Sequence, residues 1–182
     1  MELHRALLAD IQRRFPSFAI VKKRDVALQK AIDLFLKAIT LGGQRSYLTR
    51  YHTVLFGKLY VPDTWDEMTD VDRVILLRHE RVHLLQGRRM GFLVMAFVYL
   101  LPYFPLGLAY GRARIEWEAY EETIAATLEF KGQAAALALK PWLVERFTGP
   151  DYGWMWPFPR TIERWFDIAF DAAKAKHAEA LR

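Results

Sequence analysis

Apolar residues recur at helical spacing in two stretches near the start of the chain. The first, Leu3 to Ile11, is short. The second runs from Arg24 to Ile39 and places Val26, Ala27, Ala31, Ile32, Leu34, Phe35 and Ala38 along one side. Residues 1–45 are therefore predicted to hold N-terminal helices, the second stopped by Leu41-Gly42-Gly43. Between Ser46 and Val61 the pattern changes. Tyr47, Thr49, Tyr51, Thr53, Val54, Leu55, Phe56, Leu59 and Tyr60 surround Gly57-Lys58, and Pro62 closes the run. β-Branched and aromatic residues on both sides of a glycine predict a hairpin or bulged meander over 46–61, and so a small antiparallel sheet. After a turn at Pro62 to Trp65, Thr69 and Asp72 resemble a capping box. They open a helix over 70–87 with Gly87 as its stop. An apolar segment over 91–110 follows, then a polar-faced helix over 112–140 ended by Pro141. Residues 149–182 hold an aromatic loop and a last helix starting near Thr161. No internal repeat is visible. The expectation is one α+β domain, predominantly helical, spanning 1–182.

Composition supports a folded chain and removes several chemistries. With 182 residues, 53% hydrophobic, 10 Gly and 8 Pro, the chain has enough apolar surface for a core and too little Pro and Gly for a low-complexity segment. It has no cysteine, which excludes disulfides, Cys-based zinc sites, iron–sulfur ligation and a thiol nucleophile. Any metal must be held by imidazole and carboxylate. The net charge of +5 predicts a basic surface, and no nucleic-acid-binding motif accompanies it, so no nucleic-acid partner is expected. Glu2, Arg5, Asp10, Arg13 and Arg14 interrupt the first 15 residues. That excludes a signal peptide there and predicts a cytoplasmic chain.

The chemistry lies within the helix predicted over 70–87. His79-Glu80-Arg81-Val82-His83 is an HExxH motif, with odds of about 1 in 100 of arising by chance in a shuffled chain of this composition. On a helix the two histidines lie one turn apart on one face, where both can reach one Zn²⁺ at about 2.0–2.1 Å. Glu80 stands beside the first ligand and can accept the proton of an attacking water without binding the metal. A hydrolytic zinc site needs a third protein ligand and an open position. Among the other histidines, His4 and His177 lie near the chain ends and His52 in the predicted strand. The acidic stretch Arg114-Ile115-Glu116-Trp117-Glu118-Ala119-Tyr120-Glu121-Glu122 is the better source of a carboxylate, with Glu116, Glu118 and Glu122 as candidates.

With HExxH on one helix and glutamates on the next, the chain resembles a gluzincin metallopeptidase over Ser46 to about Phe130. In that group the second motif reads Glu, two variable residues, a small residue and usually Asp. Matching the small residue to Ala119 implies Glu116 as the third ligand, with Glu118 or Glu122 as alternatives. Tyr120 stands where the Asp that orients the first histidine is usual, and Tyr120 or Tyr152 is a candidate donor to the developing oxyanion. The resemblance implies a zincin-like fold: a small sheet beside the HExxH helix, and a strand edge over Thr49 to Tyr60 on which an extended peptide can pair. It implies one Zn²⁺ per chain, held by His79, His83 and Glu116, with Glu80 and Tyr120 as catalytic residues and a peptide or protein substrate. The apolar segment between HExxH and the glutamate is similar in layout to integral-membrane peptidases of the HtpX type.

That segment, Gly91 to Tyr110, is 20 residues without a charge, flanked by Arg88 and Arg89 and by Arg112 and Arg114. A single membrane crossing would carry Glu116 to the far side of a hydrocarbon layer about 30 Å thick, away from His79 and His83. Pro102 and Pro105 break it near its middle, so the expectation is a helical hairpin that returns to one side. It is either core or groove, or a peripheral contact with a membrane. The aromatic run Asp151 to Pro159 is expected to cover the core or wall the substrate cleft, partly occluding the zinc. The reading is a zinc-dependent hydrolase, a metallopeptidase. The alternative is a zinc-stabilised, catalytically silent interaction or membrane-associated module, closed by a fourth ligand such as His52 or Glu122. The oligomeric state is left open.

Overall fold

The structure, a computed structural model, describes residues 2–39, 47–100, 109–150 and 154–180. The predicted stop at Leu41-Gly42-Gly43, the hairpin turn at Pro102 and Pro105, and Tyr152 lie outside them. The chain is mostly helical: α1 Leu3–Arg14, α2 Ala27–Ile39, α3 Tyr47–Arg50, α4 Asp70–Met90, α5 Phe92–Leu100, α6 Tyr110–Thr148 and α7 Pro159–Ala180 accompany a three-stranded sheet of β1 Ile20–Lys22, β2 Thr53–Leu55 and β3 Lys58–Val61. Contacts gather into two compact units, Met1–Glu80 and Arg81–Arg182, with the boundary inside α4.

In the first unit the strand order is β1-β3-β2. β2 pairs antiparallel with β3, Thr53 opposite Tyr60 and Leu55 opposite Lys58, across the two-residue turn Phe56-Gly57. Both turn residues have positive φ (49° and 73°), as the tightest hairpins require to match strand twist. β1 runs parallel to β3, Ile20 opposite Leu59, so the sheet is mixed and not purely antiparallel. The predicted strand is also shorter: Tyr47 to Arg50 form one helical turn, and pairing begins at Thr53. Of the edge expected over Thr49 to Tyr60, β2 lies at the border of the sheet, whereas β3 is paired on both sides. Ile11, Phe18, Leu59, Val61, Trp65, Val74 and Leu77 are buried apolar residues of this unit.

Capping sets the start of α4. The Asp72 N–H donates to Thr69 Oγ1 (3.1 Å) and the Thr69 hydroxyl donates to Asp72 Oδ2 (2.6 Å), satisfying an N–H that the first turn leaves without a helical partner. Asp70 caps a second helix, accepting from the N–H groups of Leu3 (2.8 Å) and His4 (3.0 Å) at the start of α1. His4 is buried and its ring bonds Asp70, so this end of the chain is tied down rather than frayed. At its other end α4 passes through Gly87 and stops at Gly91, whose φ of +82° is open to glycine at little cost. The predicted stop at Gly87 was four residues early.

In the second unit α6 is two helical segments divided at Gly132 (φ 84°, ψ 176°), and Pro141 lies inside the later one. The break therefore falls nine residues before the proline expected to cause it. Trp117, Tyr120, Ile124, Leu143 and Phe147 of α6 pack with Ile162, Phe166 and Phe170 of α7 into one apolar cluster. α7 opens at Pro159, a position where the missing N–H has no helical partner to lose. Among the described residues of the aromatic run, Met155 is fully buried in this cluster and the Trp156 N–H donates to the Phe147 carbonyl (3.0 Å). The described part of the run thus covers the α6–α7 core.

Candidate metal centre

α4 buries a polar stripe. His79, His83 and Gln86 fall at i, i+4 and i+7, one above another on a helix, with Glu80 adjacent to the first. His79, Glu80, His83 and Glu116 of α6 are all only 4–9% exposed. The ligating atoms of His79, His83 and Glu116 lie within 4.8 Å of one another, and His83 Nε2 is 3.9 Å from Glu116 Oε2. Around a tetrahedral Zn²⁺ with bonds of about 2.0–2.1 Å, donor atoms stand about 3.4 Å apart. Shifts of about an ångström or less per side chain would close the group to that spacing. The donor set fits the ion chemically as well: imidazole and carboxylate are ordinary zinc donors, and a cation offsets the unfavourable burial of carboxylate charge. Three donors leave a fourth position for water.

Gln86 fixes how His83 presents itself. Its Nε2 donates to the Ile115 carbonyl (3.0 Å) and to Glu118 Oε2 (2.9 Å), so both amide hydrogens are committed and the amide cannot flip without losing both bonds. That leaves Oε1, 3.0 Å from His83 Nδ1, as an acceptor. In a neutral ring that acceptor favours the Nδ1–H tautomer, which turns the Nε2 lone pair towards Glu116. The same amide bonds α6 at Ile115, next to the third donor. Sequence reading missed Gln86. The available signal was its position three residues after the second histidine, where a helix places neighbours in contact.

The other predicted residues have separate positions. The Glu118 carboxylate accepts from Gln86 and lies 3.4 Å from Arg89, and Glu122 lies 3.8 Å from Arg81. Tyr120 is buried in the α6–α7 cluster, edge-on to Trp142 and Phe147 at 5.7 Å. His52 packs edge-on against Trp65 in the first unit. None of these four belongs to the donor group found among the described residues.

A buried lysine shares the first unit with Glu80. Lys23, 1% exposed, donates to the Tyr47 carbonyl (3.0 Å) and to Thr53 Oγ1 (2.9 Å) and lies 3.5 Å from the Tyr47 ring centre. Burial lowers its pKa to about 7, against the opposing pull of the Glu80 and Asp33 carboxylates. Tyr47, whose hydroxyl donates to Gln29 Oε1 (2.6 Å), is held neutral to higher pH than usual by its own burial.

No family model, curated protein or solved structure matches the chain.

Proposed function

We propose that the chain is a zinc-dependent hydrolase, most specifically a metallopeptidase. One observation carries the reading: the two histidines of the HExxH motif and Glu116 come together as a buried group of three donors, while Glu80 sits beside them and outside the donor set. His79, His83 and Glu116 would hold the metal. When bound, zinc supplies a Lewis acid and a water acidic enough to be a nucleophile near neutral pH. Glu80 takes up the proton of the attacking water at a carboxylate oxygen and returns it to the amine nitrogen as the peptide bond breaks. Gln86 keeps His83 in the tautomer that presents Nε2. The burial of His79, Glu80, His83 and Glu116 limits their contact with bulk water and strengthens each of these electrostatic contacts.

The test separates metal binding from catalysis. Native mass spectrometry of untagged protein is expected to show one zinc per chain, kept in Glu80→Gln and lost in His83→Ala and Glu116→Ala. Hydrolysis of a mixed fluorogenic peptide library is expected of the wild type and absent in Glu80→Gln. Equal rates for wild type and Glu80→Gln would refute the assignment of the base. Zinc bound tightly by a chain that hydrolyses nothing would favour a structural metal in an interaction module. Failure of the folded protein to take up zinc would remove both readings.

A further inference from the structure

α5 is a nine-residue helix, Phe92–Leu100, with no polar side chain except Tyr99. Its inner side is fixed by two glycines. A Cβ on Gly111 of α6 would lie 2.6 Å from Val98 Cγ1, and one on Gly87 of α4 would lie 3.5 Å from Met95 Sδ, so Val98 and Met95 are the residues seated on the neighbouring helices. The opposite side carries Leu93, Val94 and Phe97, which are 80%, 53% and 64% exposed. At i, i+1 and i+4 on a helix, these three large apolar side chains form one continuous face. Single exposed apolar residues are ordinary; a helix that turns three large ones outward together marks a binding surface.

Length and charge identify the partner. Among the described residues no helix is long and apolar enough to cross a hydrocarbon layer about 30 Å thick, and the nine residues of α5, about 14 Å long, suit an interfacial position. The surrounding sequence is one-sided in charge. From Arg81 to Ile115 there are five arginines and no Asp or Glu. Of the chain's 26 basic and 21 acidic residues this leaves 21 of each elsewhere, so this segment holds the whole net charge of +5. Of the five arginines, Arg112 is buried and Arg81 lies 3.8 Å from Glu122, whereas Arg88 and Arg89, at the end of α4 and directly before the apolar face, are exposed, Arg89 with a contact of 3.4 Å to Glu118. An apolar face bordered by exposed arginine is complementary to a surface that is anionic outside and hydrocarbon beneath. From this we infer that α5 docks the protein on an anionic lipid bilayer, with Leu93, Val94 and Phe97 inserted below the headgroups and Arg88 and Arg89 on the lipid phosphates. The inference does not depend on the metal centre.

The experiment is co-sedimentation of the full chain with vesicles of phosphatidylcholine alone or with about 25% phosphatidylglycerol. The wild type is expected to sediment with the anionic vesicles, less with the neutral ones, and less again as salt is raised. Leu93→Asp with Phe97→Asp is expected to lower the bound fraction about tenfold or more, and Arg88→Glu to lower it only on anionic vesicles. Because both aspartates replace exposed residues, helical circular dichroism should be unchanged. Phe97→Trp gives a readout without loss of an apolar group: the emission of the introduced indole should shift to the blue with anionic vesicles and be quenched by brominated acyl chains. A wild type that stays in the supernatant, or a Phe97→Trp emission indifferent to vesicles, overturns the proposal. So does a vesicle-independent dimer that the double aspartate variant converts to monomer, which would make a second copy of the chain the occupant.

Discussion

Replacing Gln86 by Leu separates the chemistry of the proposed metal centre from the stability of the helix that carries it. The substitution keeps side-chain bulk while removing the acceptor 3.0 Å from His83 Nδ1 and both donors to α6, at the Ile115 carbonyl and Glu118. Two consequences have different sizes and different readouts. Leaving the His83 N–H unpaired in a buried place destabilises the apoprotein by about 1–3 kcal/mol. Releasing the ring to its other tautomer and orientation lowers zinc affinity by about 10–100-fold, equal to about 1.4–2.7 kcal/mol. Thermal unfolding of the metal-free protein reads the first, and competition against a chromophoric chelator reads the second. Gln86→Glu supplies the control: it retains an acceptor for His83 and surrenders the amide donors, so affinity should recover most of its loss even where stability does not. A Gln86→Leu protein that is folded and binds zinc as tightly as the wild type would refute the positioning role. Equal affinity losses in the Leu and Glu variants would reduce Gln86 to a structural link between α4 and α6.

Two further expectations follow from single residues. In the unfolded chain Lys23 holds its proton to about 10.5, and in the fold only to about 7. Between those values the unfolded state binds more protons, so this residue makes stability rise with pH, by up to about 1.4 kcal/mol per unit, and below pH 7 its penalty is full and constant. Urea unfolding of wild type and Lys23→Met at about pH 7, 8.5 and 10 should show the difference between them shrinking as pH rises; parallel curves would contradict it. Gly111→Ala should destabilise the second unit by about 1–3 kcal/mol, since its Cβ would meet Val98 Cγ1 at 2.6 Å and the Val98 carbonyl at 3.2 Å. Adding Val98→Ala should recover part of that loss in a double-mutant cycle, and strict additivity would show that the contact does not govern the packing of α5.

What was legible in the sequence was what is encoded within a few residues. The cap at Thr69, the helical setting of HExxH and the hairpin around Gly57 each depend on neighbours two to four positions apart, and each is in the structure. β1 was not legible, because three residues carry too little periodicity to announce a strand and its partner β3 lies 39 positions away. Pro141 was misjudged for a related reason: one missing N–H is tolerated inside a helix that tertiary packing supports on either side, whereas φ +84° at Gly132 interrupts it. Choosing Glu116 among three glutamates required knowing burial that no single stripe of α6 announces. Over Arg112 to Tyr120 the helix is buried on almost every side, only Arg114 and Glu118 being less so, and Glu116 is the buried carboxylate of the stretch. Glu118 and Glu122 are half-buried.

The least legible element was the inward face of α4. Its buried apolar residues are Val74, Leu77 and Leu84, while Leu85 is exposed and Ile75 and Val82 are half-buried. This uneven apolar face has a physical origin. Over two turns the buried side of α4 is shared: Leu77 and Leu84 lie there together with His79, Glu80, His83 and Gln86, so polar groups occupy much of the face that an apolar pattern would mark. A helix formed only to pack would place leucine or valine at those four positions and gain their full burial energy. Here polar groups displace them and must be satisfied by one another and by α6, which is where local consistency between pattern and fold is expected to fail at a functional site. The proposed zinc would act at that same place. Holding three of these groups in one coordination sphere, it would return to α4 and α6 stabilisation that the polar face gives up, linking occupancy of the site to the strength of the packing around it.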